Sequence, residues 1–358
     1  MTPTYMDALL RAAAAQRLEL VPLAGNEAAW DTVVAASFYA PVSHTRRMVA
    51  YQHCYAAQSC PAFEDCSVVI RHAGQAIGVW PLNVRVATDG PAVGSNDGSV
   101  LPPLFAAQTG RKLLRSTIVS LAAVIEEVAR RAGLSSWQGT ESFGGEDGCS
   151  EWHLLAMERG ARLAVGHEIY ADLGRTLADI KSTLRKSYKS LLTEAERHWR
   201  AAIHHGACED VFDEFRRLHL KVAGRATRSM ETWDRQMEAL HAEAAFLVSL
   251  RDADETLVGA GLFHVSPHEA LYAVGAYDRS LFDKPLGHLV QWQAIQEMQR
   301  LGLRWYKLGA RPYPGDTPAP NAKELSIAHF KQGFASHVFL RHHVTIPLKK
   351  TAASDDIR

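Results

Sequence analysis

The second half of the chain contains the stretch that decides the fold, residues 245–277, AFLVSLRDADETLVGAGLFHVSPHEALYAVGAY. It holds three apolar runs, Ala245 to Arg251, Leu257 to Val265 and Ala270 to Tyr277, separated by short polar segments. Runs of this length between turn-forming residues are typical of neighbouring β-strands. A helical pattern and one further strand follow between Gly287 and Gly309, which predicts a sheet with helices packed on it.

The first half of the chain has a similar order of elements. Apolar runs between Ser67 and Val86 surround a short Gly turn and predict a β-hairpin. A long amphipathic helix, Thr109 to Ala132, and a strand, Arg162 to Asp172, follow it. The sequence therefore predicts two tandem α/β domains, residues 1–173 and 174–358. Each is expected to hold a mixed, mostly antiparallel sheet flanked by helices.

Charge and hydropathy exclude several classes of protein. The 358 residues include 39 Lys and Arg against 39 Asp and Glu, so the net charge is zero. That balance excludes a protein that coats nucleic acid by general cationic excess and gives no reason to expect DNA as a partner. No apolar run reaches the ~20 residues of a membrane span. Asp7 and Arg11 interrupt the apolar N-terminal segment, unlike a signal peptide, so we predict a cytoplasmic protein.

The cysteines and histidines show no metal-binding spacing. The five cysteines are Cys54, Cys60, Cys66, Cys149 and Cys208. The first three recur every six residues, a spacing that matches no common zinc motif. The histidine pairs at 204–205 and 342–343 have a spacing that suggests no metal site, with no Cys, Asp or Glu arranged around them as in a metal motif. We expect reduced structural thiols and no metal site.

Four cations lie within nine residues near the start of the second half. In a helix predicted from Leu177 to His204, Lys181, Arg185 and Lys189 are spaced i, i+4, i+8 and share one face. Such a stripe can bind the phosphates of a nucleotide, an RNA or a nucleotide-sugar. A solvated helix face explains the pattern equally well.

Two arginines, Arg225 and Arg228, follow Gly224 in a polar turn between two predicted helices. Arginine is suited to bidentate recognition of phosphate or carboxylate. Ser229 or Thr232 could cap the next helix. The alternative is that the arginines bind helix-end carbonyls or surface acids; ligand binding is slightly favoured.

A strand-to-helix segment ends at Gly287 and His288. The free N–H groups at the helix start could hold an anion, with His288 in the first turn. A single glycine is a weak signal, and Asp283 capping a helix entered through Pro285 is the structural alternative.

Lys331 lies in a short predicted helix near the C-terminal end. A lysine held in a loop or a buried position can polarise a carbonyl. The alternative is an amphipathic helix that buries Ile327, Phe330 and Phe334 and turns Lys331 outward. Motifs of serine hydrolases, P-loop proteins, HExxH metalloproteases and dinucleotide-binding proteins are absent from the sequence.

Taken in order, these stretches resemble the Fem-type peptidyltransferases and their relatives among the Gcn5-related N-acetyltransferases (GNAT). The resemblance covers roughly the second half of the chain. It rests on Leu184-Arg-Lys-Ser-Tyr-Lys-Ser, Gly224-Arg-Ala-Thr-Arg, His288-Leu-Val-Gln-Trp-Gln-Ala-Ile, Trp305-Tyr-Lys-Leu-Gly and Ile327-Ala-His-Phe-Lys-Gln-Gly-Phe.

The resemblance implies two GNAT-like domains and the transfer of an acyl group to an amine. In Fem-type enzymes the donor is aminoacyl-tRNA and the acceptor is a nucleotide-linked muropeptide. By position, Arg225 or Arg228 resembles the arginine that holds the acceptor phosphate, and Lys331 resembles the lysine close to the reacting groups. Coenzyme A-using members carry a glycine-rich loop, whereas this chain has one glycine, Gly287, and Pro285 in that place.

We therefore expect an N-acyltransferase that acts on a sugar, nucleotide-sugar or peptide precursor of the cell envelope. Aminoacyl-tRNA is favoured over acyl-coenzyme A as co-substrate, and no tightly bound cofactor is expected. The alternatives are an acetyl-coenzyme A-dependent amino-sugar N-acetyltransferase and a non-catalytic GNAT-like binding module. The expected catalytic residues are Lys331 and Asp278; the substrate-binding residues are Arg225, Arg228, Trp233, Tyr277 and His288; the donor-phosphate residues are Lys181, Arg185, Lys189 and Gly287.

Overall fold

The computed structural model describes residues 4–87, 90–96, 98–145 and 148–348. The α-helices within these ranges are α1 (Tyr5–Ala15), α2 (Glu27–Ala35), α3 (Arg46–Ala57), α4 (Arg111–Arg131), α5 (Glu151–Glu158), α6 (Leu177–Thr183), α7 (Lys186–His198), α8 (Glu209–Ala223), α9 (Met230–His241), α10 (Leu286–Arg300) and α11 (Ala322–Gln332). None of these helices is both long and apolar enough to cross a membrane.

The strands in the same ranges are β1 (Glu19–Pro22), β2 (Ala62–Asp65), β3 (Val68–His72), β4 (Gln75–Trp80), β5 (Asn83–Ala87), β6 (Gly90–Gly94), β7 (Leu104–Phe105), β8 (Ser136–Glu141), β9 (Arg162–Asp172), β10 (Arg200–His204), β11 (Ala245–Arg251), β12 (Leu257–Val265), β13 (Glu269–Tyr277), β14 (Trp305–Ala310) and β15 (His337–Pro347). The expected α/β class is confirmed. The three strands expected in residues 245–277 are β11, β12 and β13.

The chain forms two compact units, each built from more than one segment. Unit 1 comprises residues 1–38, 56–165 and 342–358, and unit 2 comprises residues 39–55 and 166–341. The main change of unit lies at residue 166, close to the boundary that we predict from the sequence at 173. Unit 2 also includes residues 46–55 of α3, and unit 1 includes the second half of β15 from residue 342.

Unit 1 has an apolar centre between its helices and its sheets. Strands β1-β3-β4-β7 form one sheet and β2-β5-β6 form another, while β8 pairs antiparallel with the second half of β15. Helix α4 buries one face, including Leu121 and Ile125, in the same core as Trp80, Trp137 and Trp152. Residues 90–94 form β6, which pairs antiparallel with β5.

Unit 2 is built on a sheet that is antiparallel except for one parallel pair of strands. Strands β10 to β13 pair antiparallel in chain order, β13 pairs parallel with β14, and β14 pairs antiparallel with β9. Helices α7 and α10 pack on one face of this sheet, and helices α8 and α9 pack on the other. The alternating side chains of β11 and β12 therefore face two different apolar cores.

The predicted single helix from 177 to 204 is wrong. Helix α6 ends at Thr183, Leu184 and Arg185 have extended backbones, α7 follows, and residues 200–204 form β10. The interruption has a physical cause, because Leu184 is buried in the core and the Arg185 N–H donates to the Gly333 carbonyl at 2.9 Å. Tertiary contacts override local helix propensity here.

Candidate functional site

Strands β13 and β14 separate after only three paired positions. The parallel ladder joins Glu269 to Trp305, Ala270 to Tyr306 and Leu271 to Lys307, after which both strands continue without pairing to each other. We call the gap beyond Leu271 and Lys307 the fork. A β-bulge lies beside it, since Leu262 and Phe263 oppose Val274 and Tyr272, which makes Ala273 the extra residue. Bulges occur next to active sites because they redirect backbone groups.

Three tyrosines gather at the fork on the face covered by α10. The hydroxyls of Tyr272 and Tyr277 lie 2.9 Å apart, and the Tyr306 hydroxyl donates to Oε1 of the fully buried Gln291. A Cβ at Gly275 would collide with the Tyr272 hydroxyl, so glycine makes room for this cluster. Burial raises the pKa of Tyr272 to about 12 and that of Tyr277 well above its ordinary value. The cluster therefore supplies neutral hydroxyl groups at neutral pH.

Lys331 is half-buried beside this tyrosine cluster. Its Nζ lies 5.2 Å from the centre of the Tyr272 ring and makes no ion pair within the part of the chain that the structure describes. Nearby Gly309 has φ +113, and a Cβ there would lie 3.5 Å from Nζ. Burial lowers the pKa of Lys331 to about 8, because the ammonium loses hydration. Lys331 is thus directed toward the fork and is not an outward-facing surface lysine.

The start of α10 is covered by aromatic rings. Phe330 Cζ lies 3.1 Å from the position of a Cβ at Gly287, so this glycine makes room for the ring. His288 contacts Tyr188 and Phe330, with ring centroids 4.4 and 5.1 Å away. Burial, with the nearby Arg185, lowers the pKa of His288 to about 4, so its imidazole is neutral. No side chain caps this helix, so the expected alternative role of Asp283 as its cap is wrong.

The three cations of the predicted donor-phosphate stripe do not share a helix face. Arg185 lies in the break between α6 and α7, and its guanidinium donates to the His329 carbonyl at 2.7 Å and the Tyr188 hydroxyl at 3.1 Å. Lys181 lies 5.6 Å from the Trp292 ring centre, and Lys189 is exposed on α7. Because α6 and α7 are separate helices, the i, i+4, i+8 spacing does not place the three cations on one face. Arg185 instead connects the break between them to α11.

Arg228 is held in a fixed orientation in the turn between α8 and α9. Its Nε donates to the Tyr51 hydroxyl, and its Nη1 donates to His219 Nε2 and to Thr227 Oγ1, each at 3.2 Å. The guanidinium carbon also lies 5.5 Å from the centre of the buried Trp233 ring. Nη2 makes no hydrogen bond to the described residues. Arg228 therefore presents one preorganised donor group.

The other two residues of the arginine turn have simpler surroundings. Trp233 is 5% exposed and packs edge-to-face against Phe212 and Phe215, so it is a core residue. Its ring also supports the Arg228 guanidinium. Arg225 is exposed and directly follows Gly224, whose φ of +70 ends α8 in a left-handed cap.

Asp278 is engaged by partners that make it a weak base. Lys221 Nζ lies 2.8 Å from its Oδ2, and the backbone N–H and the hydroxyl of Ser280 donate to its Oδ1. These hydrogen bonds lower the pKa of Asp278 to about 2. Asp278 therefore has a structural role at the end of β13. The expected role as proton acceptor is disfavoured, because a carboxylate with so low a pKa is a weak base.

The expected site residues lie on two faces of β13. Lys331 and the tyrosine cluster lie on the Tyr272 face, whereas Leu271 packs with Val42, Met48 and Tyr51 on the opposite face. Tyr51 is the residue that holds Arg228. At the fork β13 and β14 are no longer paired, so the sheet has a gap between the side that carries Lys331 and the side that carries Tyr51.

Sequence reasoning missed a charged cluster at the base of the fork. Lys307 Nζ lies 3.0 Å from Glu168 Oε1, and Arg341 lies 3.6 Å from the same oxygen. Glu269 accepts hydrogen bonds from the Val42 N–H at 2.7 Å and the Tyr39 hydroxyl, and burial raises its pKa. The available signal was a glutamate next to an apolar run in each of two predicted strands, Glu168 before Ile169 and Glu269 before Ala270, because such residues are buried only with partners.

Comparison with known proteins agrees with this geometry. Residues 178–319 match the family model described as an acetyltransferase (GNAT) domain. Unit 2 contains a GNAT domain. The resemblance to the GNAT superfamily is thereby confirmed, and the chain is an enzyme of the acyltransferase class. No curated protein sequence matches the chain significantly.

Three solved structures show the fold of the whole chain. FemX superposes with a TM-score of 0.68 at 11% identity, over 92% of this chain and 97% of FemX. L-PGS from Bacillus licheniformis gives 0.52 at 14% identity, over 77% of this chain and 86% of that chain. A tandem GNAT protein from the clavulanic acid biosynthesis pathway gives 0.51 at 16% identity, over 93% and 99%. The expected fold of two GNAT-like domains is confirmed.

Proposed function

We propose that the fork of unit 2 transfers an aminoacyl group from aminoacyl-tRNA to the amine of a sugar, nucleotide-sugar or peptide precursor. The observation that carries this proposal is the half-buried Lys331 ammonium, which makes no ion pair among the described residues and lies 5.2 Å from the centre of the Tyr272 ring at the fork. A cation without a counter-ion in such surroundings is suited to a charge that develops during a reaction.

The reaction needs little covalent chemistry from the protein. The amine nitrogen attacks the ester carbonyl, a C–N bond forms, and the C–O bond to the terminal ribose breaks. The amine loses one proton, and the ribose oxygen gains one. Lys331 stabilises the tetrahedral oxyanion, with a Tyr272 hydroxyl as neutral donor beside it. Positioning of the two substrates supplies much of the remaining rate enhancement.

The start of α10 supports an aminoacyl-tRNA donor over acyl-coenzyme A. A pyrophosphate needs several backbone N–H groups at a helix start. Here Pro285 lacks one such group, and the Phe330 ring lies against Gly287. The exposed Lys186 and Lys189 at the start of α7 offer a contact for RNA phosphates instead.

Arg228 supports an acceptor that carries a phosphate or a carboxylate. Its guanidinium is already held by Tyr51, His219 and Thr227, so binding an anion through Nη2 loses little side-chain entropy. Arg225, exposed in the same turn, adds a second positive charge. A nucleotide-linked precursor has anionic groups of this kind.

The decisive experiment incubates the purified chain with tRNA charged with a mixture of labelled amino acids. The acceptors are a nucleotide-linked muropeptide, a nucleotide amino sugar and glucosamine, and mass spectrometry follows the products. We expect one acceptor to gain the mass of one amino acid, and we expect Lys331→Ala to abolish the gain while Lys323→Ala on the same helix retains it. Binding of an acceptor without any mass change would instead identify a non-catalytic module.

A second candidate is an acetyl-coenzyme A-dependent amino-sugar N-acetyltransferase. It is favoured by the match to an acetyltransferase domain and by the α10 N-terminus, which has no side-chain cap. Calorimetric titration with acetyl-coenzyme A separates the two candidates. Micromolar binding together with acetylation of glucosamine would replace aminoacyl-tRNA as the donor, whereas the absence of heat supports our proposal.

A further inference from the structure

Unit 1 brings together a cysteine, two histidines and a glutamate from distant parts of the sequence. The ligand atoms of Cys149, His153 and His342 all lie within 4.8 Å of one another. The imidazole rings of His153 and His342 have centroids 4.6 Å apart. Glu141 Oε2 lies 3.5 Å from His153 Nδ1. Three side chains that commonly bind transition metals thus converge on one point, with Glu141 beside His153.

The surrounding backbone holds these side chains in place. The Ser150 N–H donates to Glu141 Oε1 at 3.1 Å, which leaves Oε2 on the side of His153. The Ser150 hydroxyl caps α5 by accepting from the His153 N–H at 3.1 Å. His342 is the direct strand partner of Glu141 in the β8–β15 ladder. Each of the four side chains therefore comes from a fixed element or from a residue next to one.

Two buried atoms in this cluster lack hydrogen bonds. His153 is 6% exposed, and its Nδ1 and Glu141 Oε2 make no hydrogen bond, although the two atoms lie 3.5 Å apart. A buried polar atom without a partner costs about 1–3 kcal/mol, so native proteins usually satisfy it. A cation between the histidines, the thiolate and the carboxylate removes this cost.

We propose that Cys149, His153 and His342 form a Zn²⁺ site in unit 1, with the Glu141 carboxylate next to His153. A thiolate and two imidazoles select zinc over magnesium or calcium, which prefer oxygen ligands. The Cys149 thiolate and the Glu141 carboxylate together neutralise the two positive charges of the ion. Tetrahedral zinc ligands lie about 3.3–3.6 Å apart, so the three ligand atoms need to approach by about 1 Å. Exposed Cys149 can make that movement. The ion joins the loop before α5 to β8 and β15.

The sequence pattern does not reveal this cluster, and the proposal departs from our expectation that the cysteines and histidines bind no metal. Cys149 and His153 are four residues apart, but His342 comes from the last strand. The ligands meet because the second half of β15 pairs with β8 within unit 1.

The test uses the full chain, stripped with EDTA, gel-filtered and titrated with Zn²⁺, with bound metal measured by elemental analysis. We expect one zinc per chain and a rise in melting temperature with Zn²⁺, because the ion binds only the folded state. Titration with Co²⁺ is expected to show a thiolate-to-metal charge-transfer band. Cys149→Ser is expected to lose that band and to weaken binding by more than about 100-fold, beyond the loss typical of an outer-sphere substitution.

The matched control is Cys60→Ser, which changes another cysteine of unit 1 and is expected to bind zinc like the wild type. Because Cys149 is exposed, its serine variant is expected to fold, and far-ultraviolet circular dichroism checks this. His342→Asn, at a half-buried position, provides a second variant with the same expected loss. The proposal is overturned if the wild type binds less than one zinc per chain, or if Cys149→Ser and Cys60→Ser bind it equally.

Discussion

The core of unit 1 and the fork of unit 2 are lined by side chains of opposite chemistry. In unit 1 the Trp152 ring contacts Trp80 and Trp137, with centroids 5.3 and 5.8 Å away. In unit 2 the strands separate at the fork, where hydroxyl groups and the Lys331 ammonium collect. The fork of unit 2 holds a half-buried ammonium without an ion pair among the described residues, and its burial costs stability. We infer that unit 2 carries the chemistry and unit 1 contributes a stable core.

The buried position of Lys331 makes the free energy of unfolding depend on pH in a defined direction. Its pKa is about 8 in the folded protein and 10.5 when unperturbed. Below pH 8 the folded state holds a poorly hydrated ammonium, so the full cost is present. Between pH 8 and 10.5 the unfolded state binds more protons, so the free energy of unfolding rises with pH. A group with this property is tolerated where function requires it.

The largest expected effect tests the structural part of unit 1. Trp80 is fully buried, and its indole N–H donates to the Leu101 carbonyl at 2.8 Å. Trp80→Ala leaves a cavity and an unpaired carbonyl, so we expect the free energy of unfolding to fall by about 3–5 kcal/mol. Chemical denaturation measures this change. The kcat of the protein that remains folded is expected to stay within a factor of two; a larger drop would place unit 1 in the chemistry.

The next effect tests the chemistry of unit 2. Lys331→Ala removes the cation at the fork, so we expect kcat to fall by about 100- to 1,000-fold with little change in melting temperature. Steady-state kinetics on the acceptor found in the transfer assay measure it. Lys323→Ala removes an exposed lysine of the same helix and is expected to leave kcat unchanged. Equal activity of both variants would remove Lys331 from the site.

A smaller effect is expected at the acceptor face. Arg228→Ala removes a charge-assisted hydrogen bond, so KM for the acceptor is expected to rise by about 10- to 100-fold with kcat nearly unchanged. Arg217→Ala, an exposed arginine on α8, is the matched control. A fall in kcat without a change in KM would show that Arg228 does not hold the acceptor.

The pH dependence refines the role of Lys331. If the ammonium stabilises the oxyanion, kcat/KM falls about tenfold per unit above pH 8, where Lys331 loses its proton. Lys331→Arg keeps its charge at every accessible pH and is expected to lack this descending limb. A rate that rises through pH 8 in the wild type would make Lys331 the proton acceptor instead. Lys331→Met is expected to raise the melting temperature at pH 7, because the buried charge is gone.

Much of the fold is predictable from the sequence because apolar periodicity is local. The strands of residues 245–277 and helices such as α4 follow from alternation and turn residues. The break at Leu184 and Arg185 is not predictable in this way, because distant carbonyls at His329 and Gly333 stabilise it. The assignment of residues 46–55 of α3 to unit 2 depends equally on contacts between residues that are distant in sequence.

The residues of the candidate site are likewise only partly predictable from the sequence. The sequence indicates Lys331 and Arg228 as residue types suited to carbonyls and anions, and the structure gives each a matching environment. It does not indicate that Lys307, Glu168 and Glu269 meet at the base of the fork, since they lie on three separate strands. Asp278 is a candidate proton acceptor by residue type, but in the structure Lys221 and Ser280 hydrogen-bond to its carboxylate.

The smallest expected effect concerns the donor. Since the predicted stripe is broken, only the exposed lysines of α7 remain available to RNA phosphates, and Lys189→Ala tests one of them. Loss of one phosphate contact lowers tRNA affinity only a few-fold, but it reduces the slope of log affinity against log salt by about 1. Filter binding across a salt series measures that slope, with Lys112→Ala on α4 of unit 1 as the control. An unchanged slope in Lys189→Ala, with tRNA still bound, would move the RNA contact away from α7. A wild type without any tRNA affinity would favour the acyl-coenzyme A donor, because the remaining phosphate-binding groups at the fork are the N–H groups of α10.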